Sequence, residues 1–375
     1  MSVIHKAAAA AVTAGLAAMA GLVMTPAAGA TARAPSSFIG HFHKLRTVGS
    51  TVPRNGDINP YGTVVIRRSI GRLRRGDVLI SNFNDKANLQ GTGTTIVEVS
   101  PRGRLTTFAR ITASGLPGAC PGGVGLTTAL AVTRGWVIVG SLPTSDGMSP
   151  TARAGCLIVL DSRGRVRETF AGHGINGPWD MTALTTGSST DLFVTNVLNG
   201  TVAASPAVVH RGTVLRLTLG FPAGQPPALL AVTTIGSGFA ERTDPAALVV
   251  GPTGVGLGAG GTLYVADSVR NRITAIPAAT SRSTSAGTGT TLTSGGALST
   301  PLGLIIAPDG DVLTVNAGNG EIVETTPGGV QVATRQLDSS GTPPGAGALF
   351  GLADRPGGRG VYYVDDATNT LRLLH

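Results

Sequence analysis

Charge is scarce in this 375-residue chain: 13 % of its residues are Asp, Glu, Lys or Arg, and 4 % are aromatic. So thin a supply of Glu, Lys and Gln argues against a helix-rich protein, because those residues fill the solvent-facing side of most helices. Beyond residue 30, no stretch repeats apolar residues at helical spacing over three turns. Nor is any later run apolar for long enough to span a bilayer. Lysine almost disappears: Lys44 and Lys86 are the only two after residue 30, so positive charge rests on Arg. The familiar catalytic signatures are missing as well. There is no G-x-S-x-G elbow and no H-E-x-x-H pair. The Gly-rich stretches GPTGVGLGAGG (251–261) and GTGTT (287–291) precede no helix carrying Lys-Ser/Thr, which excludes a phosphate cradle.

Cysteine occurs twice, as Cys120 and Cys156. In an oxidising compartment an even count points to one disulfide. It would close a loop of about 36 residues and contribute about 3–4 kcal/mol. Neither Cys has a second Cys or a His at metal-ligand spacing, which argues against zinc. The compartment itself is suggested by the first thirty residues. MSVIHK carries one Lys, AAAAAVTAGLAAMAGLVM is apolar, and TPAAGA ends in Ala28-Gly29-Ala30, a small-x-small cleavage pattern. Residues 1–30 therefore read as a signal peptide, with cleavage after Ala30 and an extracytoplasmic product, secreted or periplasmic. Its loss leaves a charge of 28 − 20 = +8. The densest basic run is VIRRSIGRLRRGDVL, with Arg67, Arg68, Arg72, Arg74 and Arg75. No aromatics interleave these arginines for base stacking, so nucleic acid is not an expected partner; a solvated hairpin tip is the expectation.

What is plentiful is Gly, 55 residues, together with Val, Thr, Leu and Ala. That mixture favours short strands and tight turns. One phrase recurs: TLYVADSVRNRI (262–273), DVLTVNAGNGEI (311–322) and GVYYVDDATNTL (360–371). Each is an apolar run ending in Asp or Asn, with a second Asn soon after. The marker position holds Asn82, Ser141, Asn196, Asp267, Asn316 and Asp365 across six units. A turn followed by an apolar run precedes each marker, as in NPYGTVVI (59–66), GPWDMTAL (177–184) and TPLGLIIA (300–307). A third strand follows each marker, and usually a fourth. Six units of four antiparallel strands describe an all-β, six-bladed β-propeller. The expected blades are 54–110, 122–171, 174–236, 247–295, 297–336 and 347–375 within one domain, 31–375. The last unit ends after its third strand. FHKLRTVGS (42–50) can supply the missing one, so an N-terminal strand is expected to close the last blade.

YVADSVRNRI, preceded by GPTGVGL, resembles an NHL repeat, and 38–375 as a whole resembles an NHL-type six-bladed propeller. The blades are longer than typical units, through loops at 143–155, 198–212 and 277–295 that are expected to be mobile and on the surface. The resemblance implies an architecture shared with streptogramin lyases, peptidyl-amidoglycolate lyases and gluconolactonases, which use a metal in the channel. Their ligand sets have no residue-by-residue match in this chain.

The markers have two readings. An Asx side chain fixes the turn after the second strand, and an Asn in left-handed conformation (Asn199, Asn271, Asn319, Asn369) ends it. Alternatively, a ring of Asx oxygens offers a divalent cation such as Ca²⁺ a site. Tyr61, Thr127, Trp179, Asp180, Thr253, Leu302 and Phe350 are expected to crowd the channel mouth, with Asn82, Asn196, Asp267, Asn316 and Asp365 nearby. Asp180 stands out because PWD replaces the x-Gly of other units. His173, just upstream, is the one His placed to act with it as base or ligand. His41 and His43 share a face on the N-terminal strand. Two functions remain: a monomeric binding or scaffold module for a protein, glycan or small molecule, and a metal-assisted lyase or lactonase built on Asp180 and His173.

Overall fold

The computed structural model describes residues 37–375; the expected signal peptide, 1–30, lies outside the described residues. The strands form six antiparallel sheets, each built from one repeat unit. The innermost strands are Ile58–Val65, Leu126–Thr133, Gly177–Thr186, Pro252–Leu257, Pro301–Ile306 and Leu349–Asp354. Each contacts the innermost strand before and after it, and the last contacts the first. Leu45–Ser50 pairs with Thr370–Leu374 as the outer strand of blade 6, so the N-terminal strand closes the ring. The chain is an all-β six-bladed propeller. Blade faces are covered on both sides, which is why a second strand such as Val78–Asn84 is buried throughout.

Loops joining strands two and three, and loops joining one blade to the next, lie on one face, here the upper. Turns between strands one and two, and three and four, lie on the lower face. Every innermost strand shifts register near its start, for instance between Pro60 and Thr63, Pro178 and Met181, and Pro301 and Leu304. At these bulges neighbouring blades meet backbone to backbone. A Cβ added to Gly254, Gly303 or Gly351 would sit 2.1, 1.8 or 2.1 Å from the carbonyl oxygen of Leu302, Phe350 or Tyr61 in the next blade. Hydroxyls tie the remaining joints. Ser81 Oγ donates to the Thr127 carbonyl (2.6 Å), Thr127 Oγ1 to Pro178 (2.7 Å), Thr195 Oγ1 to Thr253 (2.5 Å) and Ser268 Oγ to Pro301 (2.6 Å).

The markers hold each incoming loop to its own second strand. Asn82, Asn196 and Asn316 donate Nδ2 to the carbonyls of Thr51 (3.0 Å), Gly174 (2.9 Å) and Ala297 (2.7 Å). Ser141 plays the same part with Gly123 and Gly125. Asp267 and Asp365 instead bind Arg272 and Arg372 on the neighbouring third strand, each at 2.8 Å. Asn271 and Asn369 adopt left-handed backbone and reach the following blade, accepting from the Thr300 and Asn59 N–H groups.

Cys120 and Cys156 form a disulfide with Cα atoms 5.1 Å apart. It joins the incoming loop of blade 2 to that blade's third strand, Cys156–Leu160. A formed disulfide fits an oxidising, extracytoplasmic environment. Among the described residues no helix is long and apolar enough to cross a membrane. The long loops are partly ordered: Ser149–Thr151 and Thr201–Ala204 are short helical turns, and Val209 already belongs to a strand. Blade 3 departs most from the expected bounds. Its outer strand, Ala228–Asp244, runs past residue 236 and returns as Leu248–Val250.

If backbone contact closes the ring, Gly303→Ala lowers unfolding free energy by about 3 kcal/mol or more through overpacking. Gly328→Ala, whose Cβ would lie 3.7 Å from its nearest neighbour, leaves stability unchanged. Urea denaturation of the two variants checks this.

Candidate functional site

The side chains expected around the upper mouth fill it. Tyr61 stacks on Phe350 with ring centroids 4.0 Å apart and lies 6.2 Å from Trp179. These residues come from blades 1, 6 and 3, so they can meet only at the axis. Phe83 stacks on the other side of Tyr61 at 4.5 Å. Leu302 joins from blade 5, and Leu248 and Val249 of the blade 3 hairpin complete a single buried cluster. Loops of blades 1 and 2 hold the hairpin down. Gln90 donates to the Pro245 carbonyl (2.9 Å), and Ser149 Oγ to the carbonyls of Asp244 (3.1 Å) and Leu248 (2.8 Å). The upper end of the channel is therefore plugged.

The markers Asn82, Asn196, Asp267, Asn316 and Asp365 are fully buried and bonded as described above, outside this plug. Their oxygens do not form a ring around the axis. Thr127 and Thr253 serve the joints between blades. His173 is exposed at the tip of the Gly172–Ile175 turn, while the hydrogen bonds of Asp180 run to Thr195, Met181 and Val255. The two proposed partners are not brought together. His41 and His43 lie exposed on the N-terminal segment.

Below the plug the channel widens into a cavity of about 730 Å³ that opens on the lower face. Its lining is mixed: Leu130, Met181, Val255, Leu304, Ile306 and Leu352 supply aliphatic surface, while Thr63, Thr128, Thr182 and the rim arginines supply polar surface. Asp180 also lines it. Where four other blades have glycine (Gly62, Gly254, Gly303 and Gly351), Asp180 stands between blades 3 and 4. Its carboxyl accepts from the N–H of Met181 (2.8 Å) and, across the joint, from Val255 (3.3 Å). The residue is 8 % exposed, and burial pushes its carboxyl up to about 8. At neutral pH the group is mostly protonated and has one O–H to donate.

The open rim is basic. Arg67, Arg68, Arg134 and Ile70 border it, with Asp354 as the counter-charge, 3.3 Å from Arg67. The five clustered arginines thus divide their work. Arg67 and Arg68 border the channel. Arg72 donates to the carbonyls of Thr107, Phe108 and Arg163 and lies over the Phe108 ring, bracing blades 1 and 2. Arg74 and Arg75 point to solvent. The one group of carboxylates within 4.8 Å of one another among the described residues is Asp309, Asp311 and Glu324, away from the channel. There, Glu324 accepts from Ser37 Oγ and the N–H groups of Phe38 and Ile39, anchoring the N-terminal segment. Burial, and then Glu324 itself, raise Asp311 to about 7. Sequence reasoning named Asp180, the arginine run and the mouth residues Tyr61, Trp179, Leu302 and Phe350, but missed the aliphatic side chains of the lower channel and the blade 3 hairpin that covers the mouth.

No protein-family model and no curated protein sequence matches the chain. Solved structures do. A gluconolactonase from Xanthomonas campestris is 13 % identical, with a TM-score of 0.54, over 88 % of this chain and 88 % of that one. The calcium-binding protein regucalcin from Agrobacterium tumefaciens is 13 % identical, with a TM-score of 0.53, over 88 % and 93 %. A virginiamycin B lyase from Staphylococcus aureus is 14 % identical, with a TM-score of 0.51, over 88 % and 98 %. These likenesses establish the propeller fold; the resemblance to NHL repeats rests on the repeat segments alone.

Asp180 gives a pH test. Its carboxyl keeps its proton in the fold up to about pH 8, whereas in the unfolded chain it ionises near the ordinary aspartate value of 3.8. The neutral form therefore supports the fold fully below about pH 4, and that support is lost as pH rises through the folded value. Unfolding free energy should fall between these limits, and Asp180→Asn should flatten the fall. Glu241 and Asp366, each raised to about 7 by burial, leave a residual slope. Denaturant titrations across this pH range measure both curves; parallel curves would contradict the assignment.

Proposed function

We propose that this chain is an exported binding propeller that takes a small amphiphilic anion into its axial channel from the lower face. The observation that carries this reading is the channel itself: about 730 Å³, with aliphatic side chains along part of its wall, closed at one end and rimmed with arginine at the other. A cavity of that size suits a small ligand. An apolar tail would displace water from the wall, and Arg67 and Arg68 would meet a carboxylate, phosphate or sulfate at the rim. Protonated Asp180 could donate to a polar atom at the closed end.

A metal-assisted lyase or lactonase is the alternative, and its support is the fold shared with a gluconolactonase and a virginiamycin B lyase. The donor set argues against it. The channel lining offers two carboxyls, Asp180 and Asp354, and no histidine. Among the described residues, a cation such as Ca²⁺ would find three carboxylates gathered at Asp309, Asp311 and Glu324, where Glu324 is occupied with the N-terminal segment.

Titration calorimetry with decanoate, and with decanol as the uncharged control, tests the proposal. Decanoate should bind more tightly than decanol. Arg68→Glu should weaken decanoate at least tenfold, as loss of a charge-assisted contact of about 1.5–3 kcal/mol implies, and leave decanol unchanged. Thr182→Trp, which fills the channel, should abolish both. Equal affinity for the two probes, or binding insensitive to Thr182→Trp, would refute the channel as the site.

A further inference from the structure

The channel opens onto a face whose charge is strongly one-sided. Around blade 1, Arg68, Arg74 and Arg75 are exposed on the hairpin between strands one and two, and Arg102 and Arg104 on the turn between strands three and four. Blade 2 adds Arg163 and Arg165 on the matching turn. Blade 6 adds Lys44 beside His375, where the N-terminal strand meets the chain end. The same crescent exposes large apolar side chains. Ile70 is 45 % exposed at the channel rim among the arginines, and Leu45 is 41 % exposed between Lys44 and Arg46. The acids on this side are mostly engaged or distant. Asp354 pairs with Arg67 and Asp161 with Arg167, Asp77 and Glu98 are buried beside Arg74 and Arg104 beneath the exposed guanidinium groups, and Asp309 lies on blade 5. On the upper face exposed bases such as Arg54, Lys86 and Arg153 stand among acids such as Asp85 and Asp146, so the charge there is mixed.

A purely solvated basic loop gains nothing by exposing Ile70 at its centre. Guanidinium groups interleaved with aliphatic side chains match an interface where anionic headgroups overlie hydrocarbon. An acidic polymer would use the arginines and leave Ile70 and Leu45 idle. We propose that the lower face docks on an anionic lipid bilayer, and that the channel draws its amphiphile from that surface. The second half rests on the channel being the ligand site; the docking does not.

Co-sedimentation of the chain with phosphatidylcholine vesicles, with and without phosphatidylglycerol, tests the docking. The protein should partition onto the anionic vesicles and be released by salt. Each basic residue near such a surface is worth about 1 kcal/mol, so Arg74→Glu/Arg75→Glu should weaken partitioning about tenfold or more. Arg102→Glu/Arg104→Glu repeats the test on a separate turn, should the first pair fold poorly. Ile70→Ser should weaken partitioning about threefold or more by removing an inserted side chain. Thr182→Trp should leave partitioning intact. No preference for anionic vesicles, or partitioning that survives both charge reversals, would overturn the docking while leaving the decanoate result standing. Equal affinity for soluble dextran sulfate, undiminished in Ile70→Ser, would assign the face to an anionic polymer and overturn it too.

Discussion

Around the axis, the blades touch through their backbones. Neighbouring innermost strands approach so closely at their bulges that a single added carbon at Gly303 would fall 1.8 Å from the Phe350 carbonyl oxygen. A side chain at these joints must be absent, as at Gly254, Gly303 and Gly351, or must itself be the joint. Ser81, Thr127, Thr195 and Ser268 achieve the latter with one hydroxyl each. Asp180 is the exception, because it inserts a carboxyl between blades 3 and 4 and so places an ionisable group in the channel wall. The remaining features of the site follow from how tightly this ring is drawn.

A ring drawn so tightly leaves a narrow axial space, and the two ends of that space are treated differently. At the upper end Tyr61, Trp179, Phe350 and Leu302 occupy it, and the blade 3 hairpin lies across them. At the lower end aliphatic and polar side chains share the wall, and the rim is guanidinium. Geometry and charge thus point the same way. A ligand has one way in, aliphatic side chains to lie against, and a cationic collar at the opening. The chain carries few charges, and concentrating arginine on one face gives that face a field stronger than the composition suggests.

Much of the fold was legible because its cause is local. Each marker solves the same problem six times, holding an incoming loop to a second strand, so the Asx and Ser positions repeat visibly. The spare strand at 42–50 was readable because blade 6 stops one strand short. Tyr61, Trp179, Leu302 and Phe350 were legible as residues of the mouth because they stand at one place in the repeat. That they close it was not, because closure depends on the register shifts at the bulges, which leave no periodic trace. The hairpin at 242–250 was hidden because its strand continues a blade already complete. Asp180 stood out only as a break in the x-Gly pattern. His173 was near it in sequence, yet the turn at Gly172–Ile175 carries it to solvent.

A crystal structure determined with decanoate bound would test the account most directly. The account predicts the alkyl chain along the aliphatic side chains below Tyr61, its carboxylate at Arg67 and Arg68, and the aromatic plug unmoved. A ligand seated on the upper face, with the hairpin at Leu248–Val250 displaced and the lower channel empty, would contradict it.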